Sequence, residues 1–332
     1  MALKGDNQTS AIKRLYNLEY CLKMGIPALQ NATGIFNAAL FLPDYVTRFL
    51  TRSTTRSILQ IVWDFRCGYE PYLESPVFPI ILSVVFYFVT CLPFTLLDIV
   101  CPKQAWYRKY KIQVDKEVTK DQIFDALSLT FWNHILLVLP RAVAQWIWCP
   151  VMPLPEEAPS LFEFCWHQMA GLFLFDLQYF CWHVGHHKIR FLYKHIHAVH
   201  HHFSSPFAWV TQYLHPLELA AFGFLITANT WVFNCHPLTA WSYMLVSIIV
   251  SVEAHIGFDF PFLLHNLDPT GNFGGPTKHD MHHQKPHTNY QPFFNHWDRL
   301  FGTYCPPVKC CGVRNKTLQD NKKHTRQSKK VN

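Results

Sequence analysis

His183-Val184-Gly185-His186-His187, followed closely by His197-Ala198-Val199-His200-His201, is the stretch on which the reading of this chain turns. The same spacing, H-x-x-H-H, returns at His279-Asp280-Met281-His282-His283. Twenty of the 332 residues are histidine. At that frequency, about 6%, one match is expected about 0.07 times per chain by chance. Three matches therefore need a common cause. On a helix, residues i, i+3 and i+4 share a face, so each box turns two or three imidazoles in one direction. Imidazole is the commonest nitrogen donor for iron, zinc and copper. One ion takes about four to six donors. The boxes together exceed that, which predicts a two-metal centre.

The candidate ligands are His183, His186, His187, His197, His200, His201, His279, His282 and His283. Within the first box, His183 and His187 could bind without His186. His255 closes an apolar segment in Val252-Glu253-Ala254-His255 and is a tenth candidate. Asp176, Glu253 and Asp280 are candidates to orient imidazoles by hydrogen bonding. A single histidine is ordinarily a packed core or surface residue. That reading is kept for His134, His167 and His236, which sit within or between apolar runs. His195 and His202 lie beside the second box but off its pattern. His215, His265 and His296 are weaker candidates for the site.

Half of the chain is hydrophobic and 15% is charged, against roughly 25% charged in an ordinary soluble domain. Very apolar stretches alternate with basic ones. This predicts an all-α, polytopic membrane protein with four to five membrane helices and a helical cap carrying the histidine boxes. The expected spans are residues 76–101, 124–152, 161–182, 217–233 and 238–252, since roughly 20 apolar residues cross a bilayer. The last two are separated by Asn234-Cys235-His236-Pro237, which predicts a tight helical hairpin. Residues 1–75 form an N-terminal luminal or interfacial region, 76–305 the catalytic membrane domain, and 306–332 a basic tail. Lys4, Asp6, Lys13 and Arg14 interrupt any signal-peptide-like run, and segment 29–50 is broken by Pro43, Asp44 and Arg48.

Orientation follows from the positive-inside rule. Loop 103–120 carries Lys103, Arg108, Lys109, Lys111, Lys116 and Lys120, and is expected in the cytosol. The boxes and the C-terminus then fall on the cytosolic side and the N-terminus on the luminal side. Asn7 and Asn31 are glycosylation candidates there. Lys329-Lys330, four residues from the end, reads as a retrieval address for the endoplasmic reticulum. The tail accounts for the whole net charge of +7. It lacks interleaved aromatic residues, so nucleic acid is excluded as a partner. Eleven cysteines are scattered without a disulfide framework.

The order of the boxes resembles the sterol desaturase and fatty acid hydroxylase superfamily, and within it the sterol 25-hydroxylase branch. The similarity extends to Leu174-Phe175-Asp176, Trp182-His183, Thr211-Gln212-Tyr213, His236-Pro237-Leu238-Thr239, Ser251-Val252-Glu253 and His296-Trp297-Asp298, and covers about residues 70–305. The resemblance implies two iron ions held by His183, His187, His197, His200, His201, His255, His279, His282 and His283. It implies a sterol substrate drawn from membrane lipid, dioxygen as oxidant, and an external electron donor, either a b-type cytochrome or an NAD(P)H reductase. Lys278, Ile256, Lys285 and Pro286 depart from the branch pattern; they spare the ligand set and bear on substrate and position.

Chemistry agrees with the resemblance. An unactivated C–H bond resists acid–base attack and requires a redox metal with dioxygen. Zinc has no redox chemistry, so iron is expected. The rivals are a sterol 4-methyl oxidase or lipid desaturase with the same boxes, a membrane metal-binding or transport protein, and an inactive paralogue that retains metal. Transport is disfavoured because its ligands should lie mid-membrane, whereas these boxes flank the apolar runs.

Overall fold

The computed structural model describes residues 57–306, which are helical with no strand among them. The N-terminal region with Asn7, Asn31 and segment 29–50, and the tail with its dilysine, lie outside the described residues. Six helices carry the architecture: α1 Phe78–Val100, α2 Lys120–Trp148, α3 Leu161–Lys188, α4 Pro216–Val232, α5 Pro237–His255 and α6 Gly275–Gln284. Each begins or ends where its sequence dictates. Thr119 and Gln122 form a reciprocal capping box at the start of α2. The Ser160 hydroxyl accepts the Glu163 amide at the start of α3. His215 and His236 cap α4 and α5 through Nδ1, each followed by proline in the first helical position. The predicted hairpin is present: α4 ends at Val232, and Asn234 takes the left-handed conformation at φ 46° before α5 begins.

Among the described residues three helices, α1, α2 and α5, are long and apolar enough to cross a membrane, where four to five spans were expected. The other two expected spans do form helices. Helix α3 has the length, at 28 residues, but Glu163, His167, Asp176 and the first box dilute its apolar character. Helix α4 has 17 residues and reaches about 26 Å at 1.5 Å per residue, short of a hydrocarbon core of roughly 30 Å. Helix α1 exposes Ile81, Val85, Val89, Leu92 and Leu96. That spacing is one stripe of a helix, suited to lipid.

Helix α2 contains a π-turn at His134–Val138. Pro140 follows after one intervening residue. Its ring clashes with a carbonyl four residues back and it has no N–H to donate, so the ladder must open there. Helix α5 is central: it packs on α1, α3 and α6. Gly171 of α3 lets α5 approach closely, since a Cβ there would come within 2.9 Å of the Tyr243 ring.

One end of the bundle carries a cap. Segment 208–214 wedges against it, with Trp209 O accepting from Tyr87 of α1 at 3.3 Å and Leu214 O from Asn133 of α2 at 2.9 Å. The basic loop docks on the same end. Gln113 bonds Ser204 O and Asp280, and Lys111 pairs with Asp98 at 2.6 Å. The loop expected in the cytosol and the histidine boxes therefore share one face of the fold.

Lys278, a departure from the branch pattern, is buried to 1% exposure. Its ammonium donates to Gln291 O and Phe294 O and pairs with Asp298 at 2.9 Å. All three donors are used, and the segment 290–298 is held against α6. Removing one partner of a buried pair strands the other charge. Lys278→Met should lower stability by about 3–5 kcal/mol, and adding Asp298→Leu should recover much of it. Denaturant melts of both variants in detergent check this; a single variant that melts like the parent refutes the pairing.

Candidate metal centre

The boxes arrive from three directions. His183 and His187 stand on the last turns of α3. His197 ends a π-turn at Tyr193–His197, and His200 and His201 open a short 3-10 turn. His279, His282 and His283 lie on α6, and His255 is the last residue of α5. They form two groups. Five rings, His183, His187, His197, His201 and His282, make one; His200, His255, His279 and His283 make the other. Within each group the ligand nitrogens lie within 4.8 Å of one another. The groups adjoin, with the His201 and His283 rings 4.8 Å apart.

The hydrogen bonds behind the rings decide what the front can do. His183 Nδ1 lies 2.6 Å from Tyr290 O, His282 Nδ1 2.6 Å from Thr288 O, and His197 Nδ1 2.7 Å from Glu218 Oε1. A carbonyl only accepts, so Nδ1 of His183 and His282 carries the proton. Burial pushes the Glu218 carboxyl up, and in its ionised form it likewise only accepts and puts the proton on His197 Nδ1. Each Nε2 is then a bare lone pair. Yet His183 Nε2 and His197 Nε2 face each other at 3.0 Å. Two lone pairs at that distance repel; a cation between them turns the repulsion into ligation. The second group is built alike. His255 Nδ1 donates to Ser251 O at 2.8 Å and His283 Nδ1 to Phe203 O at 3.0 Å. His283 Nε2 is buried and has no hydrogen-bond partner among the described residues. The residues present fit bound metal, with tautomers fixed from behind.

Of the ten candidate ligands, nine fall in the two groups. His186 falls in neither: its ring stacks on Trp182 with centroids 4.3 Å apart, and Nδ1 faces Trp182 O. Asp176 is fully buried and accepts the Phe293 and Phe294 amides and the Gln291 side chain, tying α3 to the segment after α6. Glu253 lies 3.9 Å from His265. Asp280 receives the Gln113 and Gln284 amides.

The acid that touches a grouped ring is Glu218, which the sequence reading did not single out. Its signal was present: a carboxylate in the first turn of an otherwise apolar helix, where a charge without a partner is costly. The carbonyls of Tyr290, Thr288, Ser251 and Phe203 carry no side-chain signal and could not have been found. Asp298 anchors one of them by accepting the Tyr290 and Gln291 amides.

A cavity of about 730 Å³ opens on the four-ring group. His200, His255 and His279 line it, and no ring of the five-ring group does. Its walls are mainly apolar side chains from α1, α2, α4 and α5, including Phe222, Ile226, Met244 and Ile248. That volume suits a drug-sized ligand.

Comparisons with known proteins follow the same lines. Residues 168–303 match the fatty acid hydroxylase family, the class of histidine-box enzyme that the site defines. The chain is 50% identical over 252 residues to "Cholesterol 25-hydroxylase-like protein 1, member 2" of Danio rerio, covering 76% of this chain and 91% of the relative. It is 41% identical over 251 residues to cholesterol 25-hydroxylase of Homo sapiens, covering 76% and 92%. A cholesterol 25-hydroxylase-like protein of Caenorhabditis elegans is 42% identical over 246 residues, covering 74% and 81%. No solved structure matches the chain. The chain belongs to the cholesterol 25-hydroxylase family. Its histidine groups, read with that family, point to bound iron.

Burial, and next the neighbouring imidazoles, hold His200, His279, His282 and His283 well below their ordinary value of 6.5, and His201 at about 2. The unfolded chain protonates such rings near 6.5 while the fold resists. Stability present above that pH is therefore lost as the pH falls. Melting of the metal-free protein should begin to drop as the pH falls through about 6.5 and keep dropping below it, toward the folded-state values; a flat profile would mean that the rings are not desolvated.

Glu218→Gln keeps shape and removes charge behind His197. It should weaken metal retention about 10–100-fold, measured by competition with a chelator; unchanged retention would assign Glu218 a packing role.

Proposed function

We propose that the protein hydroxylates the side chain of cholesterol, at carbon 25, with two iron ions held by the five-ring and four-ring groups. One observation carries this reading: the four-ring group closes the end of an apolar cavity. Bound iron supplies the dioxygen chemistry that no side chain can. The overall change is RH + O₂ + 2e⁻ + 2H⁺ → ROH + H₂O, so two electrons come from an external reductase or b-type cytochrome. A tertiary carbon holds the most weakly bound hydrogen of a saturated sterol side chain.

The chain's own residues bind and position. The cavity walls hold the side chain against His200, His255 and His279 and keep bulk water out. The carbonyls of Tyr290, Thr288, Ser251 and Phe203 keep Nδ1 protonated and Nε2 free. The reading extends to location: an endoplasmic reticulum membrane protein, with the histidine face and tail in the cytosol and the N-terminus in the lumen. The shared face of the basic loop and the boxes supports that orientation.

Microsomes bearing the full chain should convert cholesterol to 25-hydroxycholesterol, identified by mass spectrometry. His200→Ala should abolish the product. His186→Phe, which preserves the stack on Trp182, should retain metal and activity, whereas His183→Ala should lose both. Loss of a ring methyl or a new double bond would redirect the assignment to a 4-methyl oxidase or a desaturase. A metal content of one iron per chain would remove the two-ion arrangement.

A further inference from the structure

Arg141 is a charge in a membrane helix with no charged partner among the described residues. It lies in α2, where it is the only Lys, Arg, Asp or Glu between Ala126 and Trp148. Among the described residues no carboxylate pairs with it; its hydrogen bond is a long one, Nη2 to Thr227 Oγ1 at 3.4 Å. Gly223 of α4 leaves space for it, since a Cβ there would come within 3.3 Å of Nη1. Such a residue is costly in hydrocarbon and is retained where it binds something. One turn on stands Gln145. Its Oε1 is buried and finds no hydrogen-bond partner among the described residues. Residues i and i+4 share a helix face, and Arg141 and Gln145 both line the cavity that ends at His200.

Their depth can be read from the helices. Glu218, at the start of α4, touches His197. Gly223 and Thr227, which face Arg141, lie five and nine residues further on, or about 8–13 Å. Gln145 adds another turn, giving about 15–20 Å from the histidine level. The cavity also follows α5 over its whole length, from Pro237 to His255. The polar pair therefore sits well up the cavity from the reacting end.

We propose that Arg141 and Gln145 form the hydroxyl-binding end of the sterol site and set the distance at which the side chain meets the metal. The chemistry of the pair selects the group. A guanidinium only donates; the buried Gln145 Oε1 accepts. A hydroxyl does both, so it satisfies each residue at once. A carboxylate would satisfy Arg141 and leave Oε1 without a donor. A sterol carries its hydroxyl at the end of the fused rings opposite the side chain, so a hydroxyl held there directs the side chain toward His200, His255 and His279. The proposal rests on the sterol reading above and adds which end of the molecule is recognised, and by what. Arg141 and Gln145 are positioning residues.

The test compares cholesterol with its 3-deoxy and 3-methyl ether analogues, using the full chain in microsomes. Wild type should show a KM for the analogues about tenfold higher, the effect of one or two lost buried hydrogen bonds. Gln145→Met and Arg141→Met should raise KM for cholesterol, bring the ratio near one and, with the distance no longer set, lower kcat and spread hydroxylation to carbons beside carbon 25. Binding is read separately, as the rise in melting temperature that each sterol gives the purified protein in detergent. That rise should favour cholesterol in wild type and lose its preference in both variants. A wild-type ratio near one overturns the proposal without any variant, as does full discrimination in both variants. The two readings fail differently. Wild type that binds cholesterol selectively through Gln145 yet makes no hydroxylated product refutes the reaction and spares the anchor; product formation without discrimination refutes the anchor alone.

Discussion

Lone pairs of buried imidazoles aimed at one another cannot coexist without a cation. That constraint organises the molecule. The Nδ1 protons of His183, His197 and His282 are committed to acceptors behind them, and the bare Nε2 atoms converge in front. The acceptors come from distant parts of the chain, so the site forms only when α3, α4, α6 and the segment after α6 are already in place. Lys278 and Asp298 matter for the same reason. They hold the stretch from Tyr290 to Asp298, whose Tyr290 carbonyl fixes a ring on α3. Metal binding and folding are thus coupled.

The division into two groups gives the centre an inside and an outside. The four-ring group faces the apolar cavity. The five-ring group lies behind it, beneath the segment from Lys188 to His195, where Lys188, Arg190 and Lys194 are exposed. Helix α5 links the halves. It carries His255 at one end, packs on α3 through Gly171, and lines the cavity along its length.

Much of this was legible in the sequence because it is written in side-chain type and period. The three boxes named eight of the nine grouped rings, and the ninth, His255, followed from its place at the end of an apolar run. The hairpin at Asn234–Pro237 was legible from turn chemistry. What was not legible depends on contacts between distant segments. His186 shares the box spacing with His183 and His187, yet it turns to Trp182, because i, i+3 and i+4 spread over an arc wider than one small centre can use. Asp176 and Asp280 stand near boxes in sequence but serve backbone amides and side-chain amides in the structure. Glu218, seventeen residues beyond His201, meets His197 only through tertiary folding. Among the helices, the apolar count flagged α3 and α4 as spans, but polar load in one and length in the other set them apart from α1, α2 and α5.

The cavity reaches three rings of one group and none of the other. Occupying it therefore closes one approach to the centre and leaves the opposite side as it was. On the proposed function, a carrier would reach the five-ring side while the lipid remains seated, and the two visitors would need no fixed order. For the same reason a snug cavity ligand would stop turnover yet leave the iron open to reduction, a pairing of effects that separates plugging the tunnel from stripping the metal.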